Sequence, residues 1–235
     1  TTGLLIGVDQ DETAIKESEE RLSKIGKNYK LVRSNFVNLE SILNELGADE
    51  VDGILMDLGV SSPQFDDASR GFSYREDAPL DMRMDQRKTL TAMSVVNTYS
   101  FEELCRVFRD YGDERYAPQI ASNIIKTRAT TPIKTTFELV EVIKKSKPMK
   151  VLATQGHPAK QVFQAIRIEV NDELNVLKET LKIALKYLRP HGGRLAVITF
   201  HSGEDRIVKS AFKAATVVEG NRYNLPIMEE EKEYR

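Results

Sequence analysis

The chain has 235 residues, of which 40% are hydrophobic and 30% charged, a composition typical of a globular protein with a substantial core. Its single cysteine, Cys105, excludes an internal disulfide framework and a multi-cysteine zinc site, and it favours a reducing compartment. No apolar run reaches the roughly 18 to 20 residues that a membrane-spanning helix needs. The net charge of -2 indicates no global attraction to a polyanion. We therefore predict a soluble cytoplasmic protein.

The first part of the sequence alternates short apolar runs with amphipathic stretches. Residues 4–8 form an apolar run that ends in Asp9, and a helical pattern follows to about residue 25. The same alternation recurs at residues 30–32 and 39–46, and residues 51–57 supply another apolar run. Strands that alternate with helices in this way predict a parallel α/β sheet.

The middle of the sequence interrupts this alternation. Residues 58–86 are rich in Gly, Pro, Ser and Asp, which predicts a long ordered loop, and loops of this length are usually functional or disordered. Helical patterns follow as far as about residue 147, with capping boxes that begin at Ser100 and Thr135. This part of the chain therefore predicts a helical insertion without strands.

The last part of the sequence returns to the α/β pattern. Pro158 opens a helical pattern that continues to about Leu188, and residues 194–200 form a further apolar strand. We predict a discontinuous α/β domain of residues 1–86 and 151–235, and an all-helical insertion of residues 87–150. Since the sequence opens in a segment of the second-strand type, we expect the first strand and its glycine-rich loop to lie outside it.

Acidic residues end two of the predicted strands. Asp9 is placed to accept hydrogen bonds from the hydroxyls of a nucleoside ribose; the alternative is a cap of the following helix, for which Asp11 competes. Asp57 opens a turn of small residues, 57–64, at the edge where open α/β sheets bind ligands. The hydroxyl and carbonyl groups of Ser62 and Pro63 add hydrogen-bond acceptors there. We predict that Asp57, Ser62 and Pro63 contact the reacting groups.

Other residues allow two interpretations each. Phe36 offers a stacking face for an adenine ring or packs in the core. His201 follows the last strand, at the same edge of the sheet as Asp57, and the sequence leaves open whether it lines the site. Asp81 and Arg83 form an ion pair that fixes their loop or contact the substrate, and His157 is interpreted as a contact at the start of a helix.

Basic residues are concentrated in one stretch. Between Lys126 and Arg167 there are nine Lys and Arg residues but only two acidic residues, Glu138 and Glu141. Such a local excess predicts a nucleic-acid surface on a chain that is otherwise slightly acidic.

Taken together, these segments resemble the ribosomal RNA small subunit methyltransferase H family over nearly the whole chain. The resemblance is carried by residues 6–11, 53–64, 70–73, 79–85, 111–115, 157–159, 163–167 and 200–202. It implies a Rossmann-like class I methyltransferase sheet with an inserted all-helical subdomain. It also implies methylation of cytidine N4 in the decoding region of bacterial 16S rRNA, with S-adenosylmethionine as cofactor and no metal. Gly203 departs from the leucine that the family usually has.

The resemblance extends to individual residues. Asp9 would bind the cofactor ribose, Phe36 would adjoin the adenine, and Asp57 and Gln64 would complete the cofactor site. The expected catalytic residues are Asp57, Ser62, Pro63 and His201. The expected contacts to the RNA, as naked small-subunit RNA or as the assembled subunit, are Asp81, Arg83, Lys144, Lys145, Lys147 and Arg167.

Two other classes of protein remain open. A nicotinamide-dependent Rossmann enzyme would share the acid at Asp9 but would leave the turn at residues 61–64 unexplained. A non-catalytic ribosome assembly factor on a methyltransferase fold would bind RNA without transferring a methyl group.

Overall fold

The computed structural model describes residues 3–153 and 156–216. Four strands are present in this part of the chain: β1 (Leu5–Asp9), β2 (Tyr29–Arg33), β3 (Gly53–Asp57) and β4 (Arg194–Ile198). The helices are α1 (Glu12–Leu22), α2 (Leu39–Glu45), α3 (Ser62–Asp66), α4 (Ala92–Thr98), α5 (Phe101–Asp110), α6 (Ala117–Thr130), α7 (Thr136–Lys145), α8 (Met149–Leu152), α9 (Lys160–Asn171), α10 (Glu173–Tyr187) and α11 (Ser202–Ala215). Short 3-10 helices cover Phe36–Asn38 and Ala68–Arg70.

The chain forms two compact units. The first contains the described residues up to Gly59 and from Leu174 onward, and the second contains Val60–Glu173. These limits differ from the sequence-based boundaries at residues 86 and 151, because residues 60–86 and 151–173 belong to the helix-rich second unit. All four strands lie in the first unit.

The strands of the first unit are parallel, which confirms the α/β prediction. β1 pairs with β2 in a register that places Asp9 opposite Arg33, and β3 pairs with β4 so that Asp57 lies opposite Ile198. Among the described residues these are two separate two-stranded sheets. The candidate residues Asp9, Phe36, Asp57 and His201 lie at or just after the carboxyl ends of these four strands.

Side-chain alternation builds the core of the first unit. Ile54, Met56 and Leu58 contribute to one apolar cluster, which α10 and α11 complete with side chains such as Leu181. Leu55 points to the opposite face and is 70% exposed. The cluster thus fixes the strand whose last residue is Asp57.

Hydrogen bonds to the helical part of the second unit hold residues 60–86 in place. The Ala78 N–H donates to Thr136 Oγ1 at 3.0 Å, and the Leu80 N–H donates to the Lys134 carbonyl at 3.0 Å. The Met84 N–H donates to Asn171 Oδ1 at 2.8 Å. The segment predicted as a loop also contains α3 and a 3-10 helix. These bonds explain why residues 60–86 belong to the helical unit.

The helix predicted from Pro158 to Leu188 is two helices. Asp172 adopts a left-handed conformation with φ of 56°, which ends α9 before α10 begins. The buried Asn171 amide donates to the Met82 carbonyl at 2.8 Å, so the break is tied to the preceding loop. An Asn-Asp pair tolerates this conformation better than most residues do.

No helix in residues 3–153 and 156–216 is long and apolar enough to cross a membrane.

Candidate functional site

Two acids at the end of β1 have different roles. Asp11 Oδ1 accepts the Thr13 N–H at 2.9 Å and caps α1, and the Asp11 side chain is buried. Asp9 Oδ1 accepts the Asp11 N–H at 2.7 Å, and the residue stays exposed. Partial desolvation by neighbouring atoms raises the pKa of Asp9 above its usual value. Since Asp11 is the cap, the Asp9 carboxylate is available to a ligand.

The turn after β2 lies beside the turn after β1. The Ser34 N–H donates to the Asp9 carbonyl at 2.9 Å, and the Asn35 amide donates to Gln10 Oε1 at 3.2 Å. Phe36 follows directly and packs, partly buried, against the apolar cluster that contains Leu58. Phe36 therefore contributes to the core, as one interpretation expected, while it stands next to the turn that carries Asp9. Its contact with an adenine ring stays a prediction.

Asp57 ends β3 as an exposed carboxylate. The next residue, Leu58, is buried and donates its N–H to the Ile198 carbonyl at 3.3 Å, so the bonding to β4 continues past the end of β3. Within the described chain, no hydrogen bond or ion pair engages the Asp57 side chain. An acid that stabilises no neighbour at a strand end is free to accept hydrogen bonds from a ligand.

His201 is tied to the start of α11. Its Nδ1 accepts the Glu204 N–H at 3.4 Å, and its Nε2 lies 3.3 Å from Glu204 Oε1. The buried Glu204 carboxylate also accepts the Phe200 N–H at 2.8 Å. These contacts give His201 a structural role at the carboxyl end of β4. A catalytic role for His201 stays a prediction.

The turn after Asp57 enters the second unit as a capped helix. Gln64 Oε1 accepts the Ser61 N–H at 3.1 Å in a capping box at the start of α3, and Gln64 is buried. Ser62 and Pro63 occupy the exposed first turn of this helix. The cap accounts for the Gln64 carbonyl oxygen locally. The predicted cofactor contact of Gln64 and the predicted contacts of Ser62 and Pro63 are not tested by this geometry.

Asp81 and Arg83 form the ion pair that one interpretation expected. Arg83 Nε and Nη2 donate to the two Asp81 oxygens at 2.9 and 2.7 Å, and Arg83 Nη1 donates to the carbonyls of Gln86 and Lys88. Burial alone would raise the pKa of Asp81, but the hydrogen bonds and charge of Arg83, with the charge of Arg70, lower it overall. The pair fixes its loop, and a substrate contact stays a prediction.

The structure gives two of the expected RNA-binding cations internal partners instead. Lys147 Nζ lies 2.6 Å from Glu114 Oε2, and the two side chains are only 4% and 1% exposed. Arg167 is paired with Glu173 at 2.8 Å and is mostly buried. Lys147 Nζ also donates to the Pro158 carbonyl at 2.7 Å, so both cations have structural roles within the second unit, and their contacts with RNA stay predictions.

The other two cations of the predicted patch remain at the surface. Lys144 forms an exposed pair with Glu141 at 2.8 Å, and Lys145 is exposed. Surface pairs of this kind contribute little to stability and are readily exchanged for other partners. Lys144 and Lys145 therefore stay candidates for contact with RNA.

The sequence does not predict one contact, a stack of two aromatic rings. The rings of Tyr74 and His157 stack with centroids 4.1 Å apart and planes 8° apart. The aromatic residue after the Arg70-Gly71-Phe72-Ser73 stretch was visible in the sequence, but its partner is far along the chain. Only tertiary structure joins the two rings.

The parallel strand pairs define the class of this protein. It is an α/β protein with exposed acids at the carboxyl ends of two strands, Asp9 in β1 and Asp57 in β3.

The chain belongs to the MraW methylase family, whose sequence model matches residues 1–235. It is 55% identical over 211 residues to a protein of Lachnospira eligens named ribosomal RNA small subunit methyltransferase H, covering 90% of this chain and 67% of that protein. It is 54% identical over 237 residues to a protein of the same name from Mesoplasma florum, covering 99% of this chain and 76% of that protein.

Proposed function

We propose that this chain transfers a methyl group from S-adenosylmethionine to N4 of a cytidine in the decoding region of bacterial 16S ribosomal RNA. The observation that carries the proposal is the exposed Asp57 carboxylate at the end of β3, in a chain of the methylase family. The names of the two relatives support ribosomal RNA of the small subunit as substrate.

The proposed architecture is one Rossmann-like class I methyltransferase sheet that contains both strand pairs. The parallel registers of β1 with β2 and of β3 with β4 support it, as does the packing of Phe36 against the cluster around β3. The helical unit of residues 60–173 is then an insertion between β3 and α10.

The acids of the first unit fit a nucleoside cofactor. Asp9 is exposed and accepts the Asp11 N–H, while Asp11 caps α1, which leaves the Asp9 carboxylate suited to hydrogen bonds from ribose hydroxyls. Phe36 adjoins the same turn and supplies an apolar face for an adenine, and Gln64 and Asp57 complete the proposed cofactor contacts. When bound, S-adenosylmethionine supplies an electrophilic methyl group on a sulfonium.

Asp57 acts on the amine of the target base. The lone pair of a cytosine amine is delocalised into the ring, so the nitrogen is a poor nucleophile. A carboxylate that accepts the amine hydrogens favours a pyramidal nitrogen and stabilises the positive charge that develops there. Ser62 and Pro63, in the turn that follows Asp57, are proposed to add acceptors, and His201 is proposed at the end of β4. Positioning of the base provides much of the remaining rate.

The base must leave its stack to reach a strand-end carboxylate. An enzyme that acts on a base extrudes it from a helix or binds it where it is already unpaired. Lys144 and Lys145 are proposed to hold the phosphates of the RNA, with Asp81 and Arg83 as proposed contacts. The cytoplasm, where ribosomes are assembled, is the expected compartment.

The test compares Asp57→Asn with wild-type protein. Transfer of radiolabelled methyl groups to undermethylated small subunits should fall about 100- to 1,000-fold, the usual cost of one preorganised electrostatic group. Asp52→Asn is the matched control, since Asp52 is an exposed acid just before the opposite end of the same strand. Asp52→Asn should keep full transfer. Full transfer by Asp57→Asn, with unchanged cofactor affinity, would disprove the role of this carboxylate.

Two further measurements separate the alternative functions. Calorimetry with S-adenosylmethionine and with NAD distinguishes a methyltransferase from a nicotinamide enzyme. An assembly factor without catalysis would bind RNA and transfer no label.

A further inference from the structure

An aromatic stack lies on the second unit. Tyr74 meets the buried Phe163 edge to face, with ring centroids 5.6 Å apart and planes 89° apart. His157 stacks on Tyr74 in a nearly parallel arrangement. Because Phe163 belongs to the apolar core, its contact fixes the position of the Tyr74 ring. His157 in turn packs against Tyr74. Neither Tyr74 nor His157 is fully buried.

His157 is fixed at its position by the start of α9. Its Nδ1 accepts the Ala159 N–H at 3.3 Å, and its carbonyl accepts the Lys160 N–H at 3.0 Å. The sequence-based interpretation of His157 as a helix-entry contact agrees with these bonds. They engage the ring edge and the backbone, and they do not use the faces of the imidazole.

Positive charges surround this imidazole. Burial, followed by the charges of Lys144, Arg75 and Lys147, lowers the pKa of His157 below its usual value. The ring is therefore neutral at pH 7. Lys147 is committed to Glu114, but Arg75 is exposed and the Lys144 side chain is 42% exposed. Two surface cations, Arg75 and Lys144, thus act electrostatically on the stacked imidazole.

Aromatic faces combined with cations are the chemistry that binds unpaired nucleotides. Proteins recognise single-stranded RNA by stacking splayed bases on aromatic side chains, while Lys and Arg neutralise the phosphates. We propose that an unpaired base of the RNA substrate extends the Tyr74–His157 stack, and that Arg75 and Lys144 hold the phosphates beside that base. The inference rests on the proposed function, because it takes RNA as the substrate.

The test measures binding of two fluorescent oligonucleotides to the full chain. One is a single-stranded oligocytidylate, and the other is an abasic ribose-phosphate chain of the same length. His157→Ala should weaken binding of the oligocytidylate about 5- to 100-fold, the range expected for one stacked base. It should leave affinity for the abasic chain unchanged. His157→Phe keeps an aromatic face and should retain most of the preference for the base-containing chain.

Control variants separate stacking from folding and from general charge. Phe101→Ala removes an exposed ring at the start of α5 of the same unit and should leave both affinities unchanged. Arg75→Gln should reduce the slope of log affinity against log salt by about 1 for both chains, as expected for one lost phosphate contact. Circular dichroism of each variant checks that the helices are intact.

Three results would overturn the inference. They are unchanged binding of oligocytidylate by a folded His157→Ala, an equal loss on the two chains, and a loss in His157→Phe as large as in His157→Ala. Methyl transfer tells the two proposals apart. Base-dependent binding by the intact wild-type protein without transfer of label would refute the proposed function and leave the stacking site in place.

Discussion

Particular charged residues of the two units are used in different ways. In the second unit the buried or half-buried ions fasten parts of the chain together, as Lys147 does with Glu114 and Arg83 does with Asp81. In the first unit the acids Asp9 and Asp57 end their strands exposed and form no ion pair within the described residues. Charge density in the sequence therefore does not locate function here. What locates it is whether a charge is satisfied by the protein itself.

The largest expected effect tests this contrast inside the basic stretch. Lys147→Met should destabilise the chain by about 3 to 5 kcal/mol, because it leaves the Glu114 carboxylate buried without its partner. Lys145→Met, at an exposed neighbour, should change stability by less than about 0.5 kcal/mol. Urea unfolding followed by circular dichroism measures both.

RNA binding should show the reverse order for these two lysines. Lys145→Met should weaken binding and lower its salt dependence, since Lys145 is exposed. Combining Lys147→Met with Glu114→Leu should recover part of the stability, because no charge is then left unpaired. If Lys147→Met and Lys145→Met both cost little stability, the distinction between a structural Lys147 and an RNA-binding Lys145 is wrong.

The sequence predicts structure best where the interactions are local. The capping boxes at Ser100 and Thr135 are present as expected, because the cap and its partner are three residues apart. The break at Asp172 was missed, because the residue next to it, Asn171, bonds the Met82 carbonyl in a distant loop. A helical periodicity carries no information about such a partner.

The candidate site divides in the same way. Asp9 and Asp57 lie at strand ends as predicted, because the end of an apolar run marks the end of a strand. The basic stretch predicts an RNA contact for Lys147, because the sequence does not show that Glu114 is its partner. That contact forms only when the segments beside α6 and α7 pack together. The Tyr74–His157 stack was missed for the same reason.

A smaller effect separates the two acids at the end of β1. Asp11→Ala should cost about 1 kcal/mol of stability, the usual value of a lost helix cap. Asp9→Ala should cost less, because its carboxylate caps no helix, but it should weaken binding of S-adenosylmethionine. Thermal unfolding and calorimetry on the two variants give both quantities. If Asp9→Ala destabilises the chain more than Asp11→Ala and leaves cofactor affinity unchanged, the proposed ribose contact is wrong.

The smallest effect concerns a tyrosine that fastens the second unit. Burial, and then the hydrogen bond to Glu169 at 2.9 Å, raise the pKa of Tyr99 to about 12. A raised pKa means that folding favours the neutral phenol, so this contribution to stability is complete below about pH 10 and is lost as the pH rises towards 12. Tyr99→Phe should therefore remove a late-titrating group from the phenolate absorbance curve. Glu169→Gln, which keeps the side-chain shape but removes the charge, should move that titration to lower pH without eliminating it, because burial remains. If the group lost in Tyr99→Phe instead titrates near pH 10, this phenol is not held by the packing of the second unit.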